Sequence, residues 1–333
     1  MEDLEGAVDQ VADRTGFSGV VRVDRDGRLV FAQPYGLAHR GWSVANAVDT
    51  RFGIASGTKS LTALTVMSLV EEGRLDLTTT ARSVLGEDLP LIDDEVTVEH
   101  LLAHRSGIGD YFNEDVVESM TDYVMPVPVH RLVMTSDYLA VLDGHPQAFP
   151  PGERFAYNNG AYVVLALIAE RVSGTAFHDL VRTRVCEPAG MRDTEFLRSD
   201  EPRRRVALGY LARDGLRTNV LHLPVRGSGD GGIYTTAADI SAMWKALFAG
   251  QIVPRERVAE MVRPRSDVPA ESARYGLGFW LHPTGEAVVL DGADAGVSFR
   301  TVHDEVARVT HTVLSNTTDG AWPVSRRLSE LLG

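Results

Sequence analysis

Between Leu61 and Val70 the chain carries Leu61, Ala63, Leu64, Val66, Met67, Leu69 and Val70, a helical stretch that is apolar on nearly every side. A helix with one apolar stripe can lie on a surface, whereas one that is apolar all round has to be enclosed. The segment from about Thr58 to Glu72, with Gly73 as its stop, therefore predicts a core helix covered by other layers. A chain of 333 residues is long enough to supply them.

Just before this helix stands Phe52-Gly53-Ile54-Ala55-Ser56-Gly57-Thr58-Lys59. Positions three apart share a helix face, so the Ser56 and Lys59 side chains can meet. A serine hydroxyl is a weak nucleophile until a base takes its proton, and an unprotonated lysine can be that base. Burial favours the neutral form of a lysine but leaves an arginine charged. Only Lys59 and Lys245 are lysines among the 33 basic residues, so a lysine kept at this spacing stands out. The plainer alternative is a serine near a helix start beside a solvated lysine, and enclosure of the helix favours the first reading.

Along the chain, residues 2–14 read as an amphipathic helix with Leu4, Ala7, Val8 and Val11 on one face. Ser18–Val23 and Arg28–Ala32 flank Asp24-Arg25-Asp26-Gly27 as a hairpin. A short helix spans about Thr97–His104. His100 and His104 lie four apart there, but Leu101 stands where a zinc protease needs glutamate and no third ligand is in view, so they read as structural. Residues 110–150 bring Tyr111, Phe112, Tyr123 and Tyr138 together with Pro126 and Pro128, either as a substrate-facing wall or as an irregular surface loop.

Further helices are expected over Ala161–Val172, about 176–187, from near Thr236, and over Trp322–Leu332. The loop Gly227-Ser228-Gly229-Asp230-Gly231-Gly232-Ile233 lacks the lysine of a phosphate-binding loop, and close backbone packing accounts for its glycines. Arg203-Arg204-Arg205 reads as a solvated patch. Strands are expected at 278–281, 287–290, 297–302 and 306–314. Strands at both ends with helices between them predict an α+β fold, an antiparallel sheet of N- and C-terminal segments flanked by helices, with a mainly helical inserted lobe. One domain over 1–333 results, with an α/β lobe of about 1–60 plus 228–333 and a helical lobe of about 61–227.

Apolar residues make up 44% and charged residues 24%, the balance of an ordinary globular chain. A net charge of −13 argues against nucleic acid or an anionic membrane as partner. Cys186 is the single cysteine, which excludes an internal disulfide and a cysteine-rich metal site. The acidic start Met1-Glu2-Asp3-Leu4-Glu5 lacks the basic-then-apolar pattern of a secretory signal, so the expected location is cytoplasmic. The pattern implies neither cofactor nor metal, and it leaves the oligomeric state open.

Several ordered segments together resemble the serine β-lactamase and penicillin-binding-protein superfamily, in its class C-like esterase and peptidase branch. They are Phe17–Val21, Phe52–Lys59, His100-Leu101-Leu102-Ala103-His104-Arg105-Ser106-Gly107, Pro151–Asn159, Gly231–Thr236 and Tyr275–Trp280. The resemblance implies that Ser56 forms an acyl-enzyme, with Lys59 and Tyr157 sharing the base role. Asn159 would hydrogen-bond substrate and lysine, and the Ser56 N–H would be one oxyanion donor. The family usually places Lys-Thr-Gly or His-x-Gly on the strand edging the site. The best match here is Gly292-Ala293-Asp294-Ala295-Gly296, with Ala293 in the place of the cation, Asp294 adding negative charge, and a second oxyanion donor expected near Gly296.

These features lead to a serine hydrolase for small esters or amides without a carboxylate beside the scissile bond. One alternative is a β-lactamase or D-stereospecific peptidase in which Arg300 or another arginine replaces the missing cation. The other is a non-catalytic penicillin-binding-like module.

Overall fold

The structure, a computed structural model, describes residues 4–112 and 119–332. Its frame is an eight-stranded antiparallel sheet drawn from two distant parts of the chain. The hairpin Arg28–Tyr35 and Gly19–Arg25 turns at Asp26-Gly27, both with positive φ. That geometry matches the twist of the flanking strands. Next across the sheet come Val309–Ser315, Val297–Asp304, Val288–Asp294, Trp280–Leu281, Ala273–Tyr275 and Ser266–Val268. Val20 lies opposite Leu314, so the first strand pairs directly with the last. Between Leu61 and Gly227 the described residues add no strand to this sheet.

Successive side chains on a strand point to opposite faces, and the two faces serve different cores. Val21, Val23 and Val313 pack with Val8, Val11, Ala321, Val324 and Leu328 of the terminal helices Leu4–Thr15 and Ala321–Leu332. Of the expected helix over 2–14, residues 2 and 3 lie outside the described part. Val20, Phe299 and Leu314 face the larger core, which contains the helix Thr58–Glu71.

Every residue of that helix from Thr58 to Val70 is buried. Its polar side chains remain hydrogen-bonded, as buried polar groups must. Ser60 Oγ donates to the Gly278 carbonyl (2.6 Å), Thr62 Oγ1 to the Gly229 carbonyl (2.6 Å) and Thr65 Oγ1 to the Leu61 carbonyl (2.9 Å). The buried helix Asn159–Ser173 belongs to the same core.

Some elements differ from the sequence expectation. The strand expected at 278–281 keeps only Trp280–Leu281, because Gly278 takes φ +86° and stands directly against Ala63 of the central helix. The strand expected from 306 starts at Val309, after a turn in which Arg308 has positive φ. The helix expected over 176–187 is Phe177–Val181, continued through a wider turn, Arg182–Cys186, to Ala189. The edge strand Ser266–Val268 and its neighbour Ala273–Tyr275, three residues each, went unforeseen. Among the described residues no single helix is long and apolar enough to cross a membrane.

Candidate active site

Ser56 sits in a tight helical turn, Ala55–Gly57, that runs into the central helix. Ala55 holds φ +43°, a costly backbone for a residue with a Cβ and one that concentrates at functional sites. Lys59 is 2% exposed and donates from Nζ to Ser56 Oγ (2.8 Å), Asn159 Oδ1 (2.7 Å) and the Asp230 carbonyl (2.9 Å). The helix spacing thus brings serine and lysine together, and two distant segments hold the ammonium group.

The stretch Tyr157-Asn158-Asn159 opens the second buried helix. Asn158 caps it, its Oδ1 accepting the Ala161 N–H (2.7 Å) and its Nδ2 donating to the Ile108 carbonyl (2.8 Å). Asn159 Nδ2 donates to the Phe112 carbonyl (2.9 Å), which leaves Oδ1 toward Lys59. The Tyr157 ring centre is 4.9 Å from Lys59 Nζ, and the ring lies tilted 4.4 Å from His104 and stacks 6.1 Å from Trp280.

His104 is wholly buried among Phe155, Tyr157, Tyr162 and Tyr275. Its Nδ1 accepts the Asn158 N–H (3.1 Å), and burial, aided by the charge of Lys59, holds it well below the usual imidazole range. It is therefore a neutral prop beneath the tyrosine. His100 Nδ1 accepts the Thr97 N–H (3.3 Å) at a helix start, away from His104. Among the described residues no group of three or more His, Cys, Asp or Glu could hold a metal ion.

Ser56 opens into a cleft of about 910 Å³, part of it open to solvent. Tyr111, Phe112, Tyr123 and Tyr138 all line it, so the aromatic segment is a cleft wall; residues 113–118 within it lie outside the described part. Met125, Leu197, Leu223 and Val225 extend the apolar surface. Asp230 and Asp294 also line the cleft, and the described lining contains neither arginine nor lysine. Tyr111 O–H donates to the Asp230 carboxylate, whose pKa is pushed up by burial.

The strand Val288–Asp294 runs past Ser56. A methyl group on Gly292 would stand 2.7 Å from Ser56 N and 2.8 Å from Gly57 N, so Gly292 is the residue that abuts the serine turn. Ala293 and Asp294 line the cleft, whereas Ala295 and Gly296 form the two-residue turn between Asp294 and Val297. The turn's N–H groups are engaged: Ala295 N–H donates to Asp294 Oδ1 (2.8 Å) and Gly296 N–H to Thr318 Oγ1 (2.9 Å). The oxyanion donor expected near Gly296 is therefore not there, because that N–H serves the turn. Arg300 pairs with Asp291 (3.2 Å) directly opposite it in the register. With Gly292 facing the serine turn, alternation puts Asp291 and Arg300 on the other face of the sheet. Arg300 does not supply the missing cation.

A family model described as Beta-lactamase matches residues 4–331. The chain belongs to this family. It is similar to esterase EstB of Burkholderia gladioli, 30% identical over 323 residues that cover 88% of this chain and 81% of the relative. It is also similar to the putative penicillin-binding protein PbpX of Bacillus subtilis (strain 168), 27% identical over 272 residues. That match covers 80% of this chain and only 63% of PbpX. A penicillin-binding protein from Bacillus halodurans has the same fold, with 32% identity, a TM-score of 0.91, and coverage of 97% of this chain and 99% of the other.

The site of this β-lactamase-family chain includes residues that sequence reasoning missed. Asp110 accepts the N–H groups of Asn159 (2.7 Å), Gly160 (2.9 Å) and Phe112 (3.3 Å). Burial pushes its pKa up to about 6. Asp230 was visible only as the single charged residue in a glycine-rich loop; its carbonyl, not its carboxylate, accepts from Lys59.

Proposed function

We propose that this member of a hydrolase superfamily forms an acyl-enzyme on Ser56 and hydrolyses neutral esters or amides that lack a carboxylate next to the scissile bond. The observation that carries the reading is the 2.8 Å contact between Ser56 Oγ and Lys59 Nζ at the floor of a cleft lined by Asp230 and Asp294. With one proton withdrawn from the Lys59–Tyr157 pair, leaving a neutral amine or a phenolate, that pair takes the Ser56 proton as Oγ attacks the carbonyl carbon. The same pair returns a proton to the leaving alcohol or amine, and water then releases the acyl group. The oxyanion is held by the N–H of Ser56 and by that of Ala293, which follows Gly292 on the cleft wall.

A bound carboxylate needs a cationic or multiply donating partner. The acidic wall supports neutral substrates over the carboxylate-bearing ones of a β-lactamase or D-peptidase. A non-catalytic module is disfavoured by a lysine held in hydrogen-bond contact with the serine. Hydrolysis of p-nitrophenyl acetate beside nitrocefin tests the substrate class. The ester should turn over in a Ser56-dependent manner while nitrocefin is poorly cleaved; efficient nitrocefin cleavage would overturn the substrate assignment.

A further inference from the structure

One carboxylate, that of Asp110, holds the Asn159 backbone directly and its side chain by way of Phe112. The Asp110 oxygens accept the backbone N–H groups of Asn159 (2.7 Å) and Gly160 (2.9 Å), the first turn of the helix Asn159–Ser173. Asp110 also accepts the Phe112 N–H (3.3 Å), and the carbonyl of Phe112 accepts Asn159 Nδ2 (2.9 Å). This second link decides which way the Asn159 amide faces. With Nδ2 committed to Phe112, Oδ1 is the atom turned to Lys59 Nζ at 2.7 Å. A negative charge at a helix N-terminus is also favoured by the helix dipole.

We propose that Asp110 is a positioning residue: its carboxylate sets the backbone and the amide orientation of Asn159 and thereby the place of Lys59 beside Ser56. The inference rests on the hydrolase reading for its effect on rate, but its structural content stands apart from it. Asp110 never touches the reacting atoms and acts through Asn159.

The arrangement is linked to pH. Burial holds the Asp110 carboxyl at about 6, against the pull of its three N–H donors and of Lys59. The groups that face it are Lys59 on the central helix, and Tyr111 and Tyr123 on its own segment, both of which also sense Asp230 of the glycine-rich loop. The two phenols are pushed up, Tyr123 to about 12, so neither titrates where Asp110 does. Above pH about 6 the charged carboxylate holds three donors; below it the neutral acid holds them less strongly.

The test uses the full chain, its Asp110→Asn and Asp110→Glu variants, nitrogen-labelled NMR and p-nitrophenyl acetate. In the wild type the backbone amides of Asn159 and Gly160 and the side-chain amide of Asn159 should move together, with a midpoint near pH 6. Asp110→Asn should abolish that transition while remaining folded by circular dichroism. It should also lower kcat about 10- to 100-fold at pH 8, with little change in KM, as expected when a reacting group is misplaced. Asp110→Glu should recover part of the rate and restore a titration. An Asn159 side-chain amide that stays still through the titration, or an Asp110→Asn variant with the wild-type kcat and pH profile, would overturn the proposal. A wild type without Ser56-dependent turnover would instead overturn the hydrolase reading, and the amide titration would still decide the role of Asp110.

Discussion

Gly292 stands so close to Ser56 that a methyl group in its place would lie 2.7 Å from the serine nitrogen. The strand and the serine turn share a contact that admits only a hydrogen side chain. Gly292→Ala should push the strand away from Ser56, costing about 1–3 kcal/mol as overpacking does. Ester hydrolysis should fall about 100-fold or more as the Ala293 N–H leaves the cleft. Thermal melting together with kcat/KM checks this, and an unchanged rate would show that the strand takes no part.

Lys59→Arg tests whether charge or proton transfer matters. Arginine keeps the positive charge but does not release its proton near neutral pH, and it is larger than the buried space held by Ser56, Asn159 and Asp230. Hydrolysis is expected to drop at least about 1,000-fold, in line with losses on removing one member of a catalytic unit. Steady-state rates on p-nitrophenyl acetate measure it.

Asp294 sits on the cleft wall where the family pattern usually supplies a cation nearby. Asp294→Lys removes one negative charge and adds a positive one beside the substrate. Nitrocefin kcat/KM should rise about 10-fold relative to the ester, a gain of about 1.4 kcal/mol in differential transition-state binding. A fall in both rates together would point to a packing effect instead.

Buried His178 contributes a pH dependence of the same sense as a salt-bridged carboxylate, in a higher pH window. Burial lowers its pKa from about 6.5 to about 4, so the folded chain leaves it neutral where the unfolded chain protonates it. The unfolded state therefore binds more protons between pH about 4 and 6.5, and stability falls as pH falls through that window. His178→Gln should flatten the slope of unfolding free energy against pH there by about one proton, or about 1.4 kcal/mol per pH unit. Urea unfolding at several pH values reads it directly, and identical slopes would refute it.

Much of this was legible in the sequence because it is local. The all-apolar run after Thr58 could only be a core helix, and the spacing of Ser56 and Lys59 already placed their side chains together. The hairpin around Asp26-Gly27 announced itself by its turn residues. Of the two links from distant segments to Lys59, the Asn159 side chain was expected from the family resemblance, whereas the Asp230 carbonyl was not, because a backbone carbonyl has no sequence signature at all. Asp110 was hidden for the same reason, since two of its three N–H partners, those of Asn159 and Gly160, stand about fifty residues away. At the third motif, the family resemblance suggested a second oxyanion donor near Gly296. Only the strand register showed that Gly296 belongs to a turn and that Gly292 is the point of contact.

The most direct measurement is the site of covalent capture. The full chain is treated with a fluorophosphonate and digested, and the modified peptide is mapped by mass spectrometry. The expected result is a single adduct on Ser56, lost in Ser56→Ala and strongly slowed in Lys59→Arg. An unmodified Ser56, or an adduct formed equally fast without Lys59, would contradict the assignment of these two residues as the reacting pair.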